Sequence, residues 1–265
     1  MIKSFKKFNS DKIKHGYIEI YSNYLSNLKN KKLKILEIGV ADGKSILSWS
    51  DYFKKSLIIG IDIKKLNLKK LKLNKKNIHI HQGSQSDPLF LDWLIKRYKS
   101  FDIIIDDGSH IPVDVKKSFN LLFPALKNKG FYFVEDLQTS YIHFFGGNPF
   151  DLTNANTHVN FFKSLIDRIH FKEIANPYYL KQRYDGKIYS IAFFRNLLVV
   201  NKNINLNESN LVLNNSYENK RFDEKVRRNP DKRFRYFLKY KILYKSYTQI
   251  LFFTNLLKKI ILFRF

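Results

Sequence analysis

Four short apolar runs, each ending on a glycine or an acid, constrain the fold of this chain more than any other feature. Leu36-Glu-Ile-Gly-Val-Ala-Asp-Gly43 carries a strand into a glycine-bearing turn. Leu57 to Ile61, Ile103 to Ile105 and Phe131 to Val134 run directly into Asp62, Asp106-Asp-Gly-Ser-His110 and Glu135-Asp136. Continuous Ile/Leu/Val runs, rather than alternating ones, belong to strands buried on both faces of a parallel sheet. Such sheets collect ligands beyond the carboxyl ends of their strands, where the strand order reverses. Acids at three or four of those ends therefore converge on one crevice, where function is expected.

The remaining pattern fits that frame. Ile13, Tyr17, Ile20, Tyr21 and Tyr24 predict a helix over 11–30, within an N-terminal helical cap of residues 1–30. Strands are expected over about 33–38, 57–62, 78–81, 101–106 and 130–135, with helices over about 45–53, 88–98, 113–127 and 157–170. The lysine-laden stretch 64–76 reads as a short amphipathic helix or a solvated connection. Asp87 is expected to N-cap the helix that Pro88 begins. Lys172 to Ile174 and Ile188 to Asn201 are β-like, the second interrupted near Arg195-Asn196, which predicts an antiparallel edge. The fold class is therefore α/β: a doubly wound, mostly parallel Rossmann-like sheet with an antiparallel edge strand and right-handed crossovers. A domain over 1–204 is followed by a linker and a basic, aromatic, amphipathic extension over 205–265.

The 265 residues, 44% apolar and 16% aromatic, suffice for one large domain and an appendage. The absence of cysteine excludes disulfides and thiolate metal sites. The basic start lacks the apolar stretch of a signal peptide, and no uncharged apolar run reaches the ~18 residues of a membrane span. The expectation is a cytoplasmic protein, with the inner face of the membrane as a further location. A net charge of +25 raises nucleic acid as a partner. However, the charge is mostly lysine, spread through the chain beside abundant Asn and Ile, whereas arginine, the better fork for phosphate, is scarce before position 220. Nucleic acid is the weaker reading. The stretch 220–265 holds fourteen Lys/Arg against three Asp/Glu, interleaved with aromatics at helical spacing. Such a segment suits peripheral contact with an anionic membrane, a partner or homo-oligomer mate, or its own domain.

Gly39 and Gly43 let the backbone approach a ligand and present N–H groups at a helix start. Glu37 lies within the preceding strand end. Asp62, about twenty residues beyond the turn, is placed to accept hydrogen bonds from ribose hydroxyls. Ala41 and Lys44 break the Gly-x-Gly-x-x-Gly pattern of dinucleotide sites, and no upstream glycine completes a phosphate loop at Gly43-Lys44-Ser45. The Glu-x-Gly-x-x-x-Gly form suits S-adenosylmethionine (SAM), whose sulfonium and amino-acid end need acids and carbonyls rather than a phosphate cradle. Asp107, Glu135 and Asp136 form an oxygen-only candidate metal site, suited to Mg²⁺ or a similar divalent cation. His110, three residues after Asp107, is placed to face the same cavity.

With Gly60-Ile-Asp62, Gln82-Gly-Ser-Gln-Ser-Asp87 and Val134-Glu-Asp-Leu-Gln-Thr-Ser-Tyr141 added, the chain resembles the Mg²⁺-dependent sugar O-methyltransferases of macrolide biosynthesis. These are the macrocin and mycinamicin type, with relatives in polysaccharide gene clusters. The resemblance runs from Asp11-Lys-Ile-Lys-His-Gly-Tyr17 to about Lys202, with its motifs in order. It implies metal ligation by Asp107, Glu135 and Asp136, His110 as general base, and cofactor contacts from Glu37, Gly39, Asp62, Gln85 and Ser86. Ser84 stands where the family usually has an acid. The implied partner is a sugar or glycan acceptor, nucleotide-linked, lipid-linked or polymeric. The Lys/Asn/Ile bias favours a capsule or other surface polysaccharide over a macrolide. Two other readings stand beside it: an RNA ribose methyltransferase, and a non-enzymatic membrane or assembly protein retaining the fold.

Overall fold

The computed structural model describes residues 1–204 except 70, 72, 74 and 175–178. The basic extension over 205–265, with its helices and its membrane or partner contacts, lies outside the described residues. Seven strands form one sheet: β1 (Lys34–Ile38), β2 (Leu57–Asp62), β3 (Ile78–Gln82), β4 (Phe101–Asp106), β5 (Leu126–Glu135), β6 (Ile188–Phe194) and β7 (Leu197–Lys202). Their order is β3-β2-β1-β4-β5-β7-β6. The first five are parallel, β7 pairs antiparallel with β5, and β6 returns antiparallel to β7 at the edge. Both the doubly wound sheet and its antiparallel edge match the expectation. The order reverses between β1 and β4, which opens the crevice above their carboxyl ends.

Side chains alternate across the pleat, and each face has its own core. Ile35, Ile58, Ile103, Ile105 and Phe133 pack beneath α1 (Ile2–Lys7), α2 (Tyr17–Leu25) and α3 (Lys44–Tyr52), around fully buried Tyr21 and Trp49. Leu36, Ile59, Ile104, Tyr132 and Val134 face α4 (Pro88–Tyr98), α5 (Pro112–Leu122) and α6 (His158–Ser164), around Phe119 and Phe162. Burial of each such side chain contributes about 1.5–3 kcal/mol. Asp87 caps α4 as expected, its carboxylate accepting from the Leu89 N–H at 2.9 Å.

Four local readings change. The N-terminal helix is broken into a 3₁₀ turn at Asp11–Ile13, α2, and a second 3₁₀ turn at Ser26–Leu28, with Gly16 left-handed between the first two. The α5 helix stops at Leu122, because Pro124 has no N–H to continue it, and β5 begins four residues early. The helix expected over 157–170 divides at Leu165 into α6 and α7 (Ile166–Ile169). Phe171–Glu173 is a 3₁₀ turn rather than a strand. Among the described residues, no helix is long and apolar enough to cross a membrane.

Candidate active site

The period of two in the strands decides where each acid points. Glu37 pairs in register with Ile105, and Ile105 with Phe133. Asp107 and Glu135 lie two residues beyond Ile105 and Phe133, so all three acids emerge on the face covered by α2 and α3. Asp106 falls on the opposite face. It is buried there, accepting from Gln85 Nε2 (3.0 Å), the Tyr132 hydroxyl (3.1 Å) and the Ser118 hydroxyl. Burial pushes the Asp106 carboxyl up to about 6, against the pull of those hydrogen bonds.

Among the three acids on the α2/α3 face sits Lys12, only 1% exposed. Its ammonium donates to Asp107 Oδ2 at 2.5 Å and Glu135 Oε1 at 2.6 Å, and lies 3.5 Å from Glu37 Oε1. The Tyr21 hydroxyl also donates to Glu135 Oε1 (2.5 Å), and the Tyr17 hydroxyl donates to Asp136 Oδ1 (2.7 Å). Burial works to lower the Lys12 pKa, but Asp107, Glu135 and Glu37 outweigh it and hold it well above the ordinary lysine range. Burial, then the Asp107 charge, raises the Glu135 carboxyl, against the opposing pull of Lys12. Burial likewise raises Glu37, whose Oε2 is buried without a hydrogen-bond partner among the described residues. Lys12, Tyr17 and Tyr21 were not among the site residues expected from the sequence.

A cleft of about 420 Å³ opens above β1 and β4; among the described residues it is lined by seven acids and one lysine, Lys64. Such a lining in a chain of net charge +25 creates a locally negative field that suits a cationic ligand. Of the expected site residues, Gly39, Asp62, Gln85, Asp107, His110, Glu135 and Asp136 line this cleft. Glu37, Gly43 and Ser86 do not. Glu37 is fully buried, accepting from the Ser45 hydroxyl and from Trp49 Nε1 at 3.2 Å. Gly43 is the left-handed N-cap of α3, and a Cβ there would press on Leu73.

The glycine turn is held from within. Asp62 Oδ2 accepts from the Val40 and Ala41 N–H groups (3.0 and 2.9 Å), and Oδ1 accepts from the Lys64 N–H (2.8 Å). That uses three of roughly four acceptor positions on the carboxylate and leaves about one for a ligand. Gly39, at φ 86°, lies so close to the Asp107 carbonyl that any Cβ would collide with it. Gln85 spends both ends of its amide on the scaffold: Nε2 on Asp106, and Oε1 on the Ser109 N–H at 2.6 Å.

Asp107, His110 and Asp136 can each offer one ligand atom, all within 4.8 Å of one another. His110 Nε2 lies 3.9 Å from Asp107 Oδ1 and 3.7 Å from Asp136 Oδ2. His110 and Asp136 are both left-handed, at φ 56°. Conformations of that kind cost on the order of 1–3 kcal/mol each and gather at functional sites. Glu135 stands just behind this group, with one oxygen held by Lys12 and Tyr21.

A doubly wound sheet with a glycine turn after β1, an acid ending β2 and an acid–histidine group beyond β4 and β5 is the architecture of a Rossmann-like methyltransferase. No family model matches the chain. It is 36% identical over 202 residues to the 8-demethyl-8-alpha-L-rhamnosyl tetracenomycin-C 2'-O-methyltransferase of Streptomyces olivaceus (72% of this chain, 51% of the relative). It is 34% identical over 199 residues to the mycinamicin VI 2''-O-methyltransferase of Micromonospora griseorubida (72% and 49%). Its fold matches the MycE methyltransferase of the mycinamycin biosynthetic pathway, solved in complex with Mg and SAH, with a TM-score of 0.67 and 33% identity over 72% of this chain and 50% of that one. The chain is a homologue of the macrocin, mycinamicin and tetracenomycin sugar O-methyltransferases. It spans about half the length of the relatives it matches.

Proposed function

We propose that this protein is a SAM-dependent, divalent-metal-dependent O-methyltransferase acting on a sugar hydroxyl. The carrying observation is the convergence of Asp107, His110 and Asp136 in the cleft whose other wall is the Gly39 turn with Asp62. The proposed donors, Asp107, Glu135 and Asp136, are all carboxylates and fit a hard cation, and the acids of the cluster outnumber the Lys12 ammonium. The Glu135 carboxyl is raised first by burial and then by the Asp107 charge, which a bound cation would offset. Asp107, Asp136 and Glu135 would hold the metal. When bound, Mg²⁺ lowers the pKa of a ligating hydroxyl and fixes its direction.

The chain's own groups do the rest. The acid-lined cleft draws in the cationic cofactor, and Asp62 keeps about one acceptor position for a ribose hydroxyl. Methyl transfer from a sulfonium is an in-line displacement: the oxygen–carbon bond forms as the carbon–sulfur bond breaks, with the pair leaving on sulfur. His110 takes the hydroxyl proton as that bond forms, a contribution of typically about 10²–10⁴-fold. The Lys/Asn/Ile composition supports a surface-polysaccharide unit as the acceptor, whereas the relatives are named as O-methyltransferases of mycinamicin VI and of a rhamnosyl tetracenomycin-C. The negative cleft weighs against RNA in this site. The test is SAM titration by calorimetry with and without Mg²⁺, then EDTA-sensitive methylation of a panel of glycans and sugar-bearing small molecules. Metal-dependent methyl transfer is expected, and absence of SAM binding under every metal condition would overturn the reading.

A further inference from the structure

Lys12 forms three ion pairs, and all three point at the acid cluster. It belongs to the N-terminal segment, not to the sheet. It approaches Glu37, Asp107 and Glu135 from the α2/α3 face, opposite to Asp106 and its separate network. With the acids ionised, three negative charges face one positive charge in a setting where Lys12, Glu37 and Glu135 are at most 2% exposed. Removing one partner of such a buried group leaves uncompensated charge and is strongly destabilising. The ammonium engages one oxygen of each of two candidate ligands, Oδ2 of Asp107 and Oε1 of Glu135. Asp107 Oδ1, on the His110 side, carries no contact to Lys12.

We propose that Lys12 is a positioning residue: a built-in counter-cation that holds the Glu37–Asp107–Glu135 cluster in shape without a metal and moderates the affinity of that cluster for one. Asp107, Glu135 and Asp136 would hold the divalent ion, while Lys12 fixes Oδ2 of Asp107 and Oε1 of Glu135. The inference rests on the metal reading of the proposed function. Its physical content is electrostatic. An ammonium within hydrogen-bonding distance of two ligand carboxylates repels an incoming cation and substitutes for it when the cation is absent.

The experiment compares wild type, Lys12→Met, Lys12→Arg and the double variant Lys12→Met/Glu37→Gln in the full chain, without SAM. Thermal unfolding is followed in EDTA and in saturating Mg²⁺, and Mn²⁺ binding is measured by electron paramagnetic resonance. Lys12→Met is expected to lose roughly 4–8 °C more in EDTA than in Mg²⁺, and to bind Mn²⁺ roughly threefold to tenfold more tightly than wild type. Lys12→Arg keeps the charge and is expected to show little metal-dependent difference. The double variant restores the charge balance of the cluster and is expected to recover much of the loss in EDTA. Equal losses with and without metal, together with unchanged or weaker Mn²⁺ binding, would overturn the role and leave Lys12 a packing residue. If Lys12→Met does not fold, rescue by Mg²⁺ or by Glu37→Gln supports the proposal, and failure of both rescues overturns it. Wild type that binds no Mn²⁺ would sink the metal reading separately, and the EDTA stability of the double variant would still decide the counter-cation role.

Discussion

The Thr139 hydroxyl reaches the main-chain carbonyl of His110 at 2.9 Å, so a residue of the turn after β5 holds the left-handed residue of the loop after β4. The same hydroxyl lies 2.9 Å from the carbonyl of Asp136, the other left-handed residue of the site. One buried oxygen thus joins the two turns that carry the proposed base and a proposed metal ligand. Thr139→Val keeps the shape and removes the donor. It is expected to cost about 1 kcal/mol of stability and to lower kcat roughly tenfold, because loss of alignment costs rate. SAM affinity should stay within about twofold, since the joint lies on the metal side of the cleft. Calorimetry beside steady-state kinetics checks this, and a large loss of SAM binding with unchanged kcat would count against it.

Gln85 separates two roles that the sequence leaves merged. The motif resemblance places it against the cofactor, whereas its amide joins Asp106 to the Ser109 N–H and supports the 107–110 loop from below. Gly108 packs against the same amide, and a Cβ there would collide with Gln85 Oε1. Gln85→Ala is expected to cost about 1–3 kcal/mol by leaving buried polar groups unpaired. A loop-positioning role predicts a fall in kcat with little change in SAM dissociation constant. A direct cofactor contact predicts the reverse, so the two measurements together assign the residue.

The sheet was legible because its signal is local: a continuous apolar run bounded by a turn defines a buried strand without knowledge of its neighbours. The positions of β1, β2 and β4 follow directly. The end of α5 was missed although Pro124 marks it, because the apolar periodicity continues through the proline and competes with it. The acids at the strand ends were legible as a cluster, but their faces were not. Register sends Asp106 to one side of the sheet and Glu37, Asp107 and Glu135 to the other. Lys12 was invisible for a different reason. It is one of many lysines in a basic chain, and it meets Asp107 and Glu135 across 95 and 123 residues. The Asp11-to-Tyr17 motif was the available signal, because it lies far from the strand ends yet belongs to the same resemblance.

His158 gives the protein an acid-sensitive element outside the proposed chemistry. It is fully buried at the start of α6, and neither ring nitrogen has a hydrogen-bond partner among the described residues. Burial, with smaller contributions from His110 and Lys116, brings its pKa down to about 4. Between about pH 4 and the unfolded value near 6.5, the unfolded chain binds more protons than the folded one, so stability rises with pH across that window. The contribution present above pH 6.5 is lost as pH falls through it, and amounts to about 3 kcal/mol by the size of the shift. His158→Leu should flatten this part of the stability profile. Chemical denaturation at pH 4.5, 5.5 and 7 would show it, and an unchanged slope between pH 4.5 and 7 would mean that other groups dominate.

His110 is the proposed base, and its substitution tests the chemistry apart from the architecture. Its ring is 22% exposed on the cleft, and its left-handed backbone is fixed through its carbonyl by Thr139, not through the ring. Truncating the side chain therefore removes the proton acceptor while leaving the turn pinned. His110→Ala is expected to lower kcat by about 10²–10⁴-fold, with SAM binding unchanged because Gly39 and Asp62 lie on the other wall. His110→Asn keeps a polar side chain that cannot take the proton and should be equally slow. If His110→Ala instead binds Mn²⁺ much more weakly than wild type, the ring serves the metal group in which its nitrogen sits with Asp107 and Asp136. A kcat loss accompanied by intact Mn²⁺ and SAM binding assigns His110 to proton transfer.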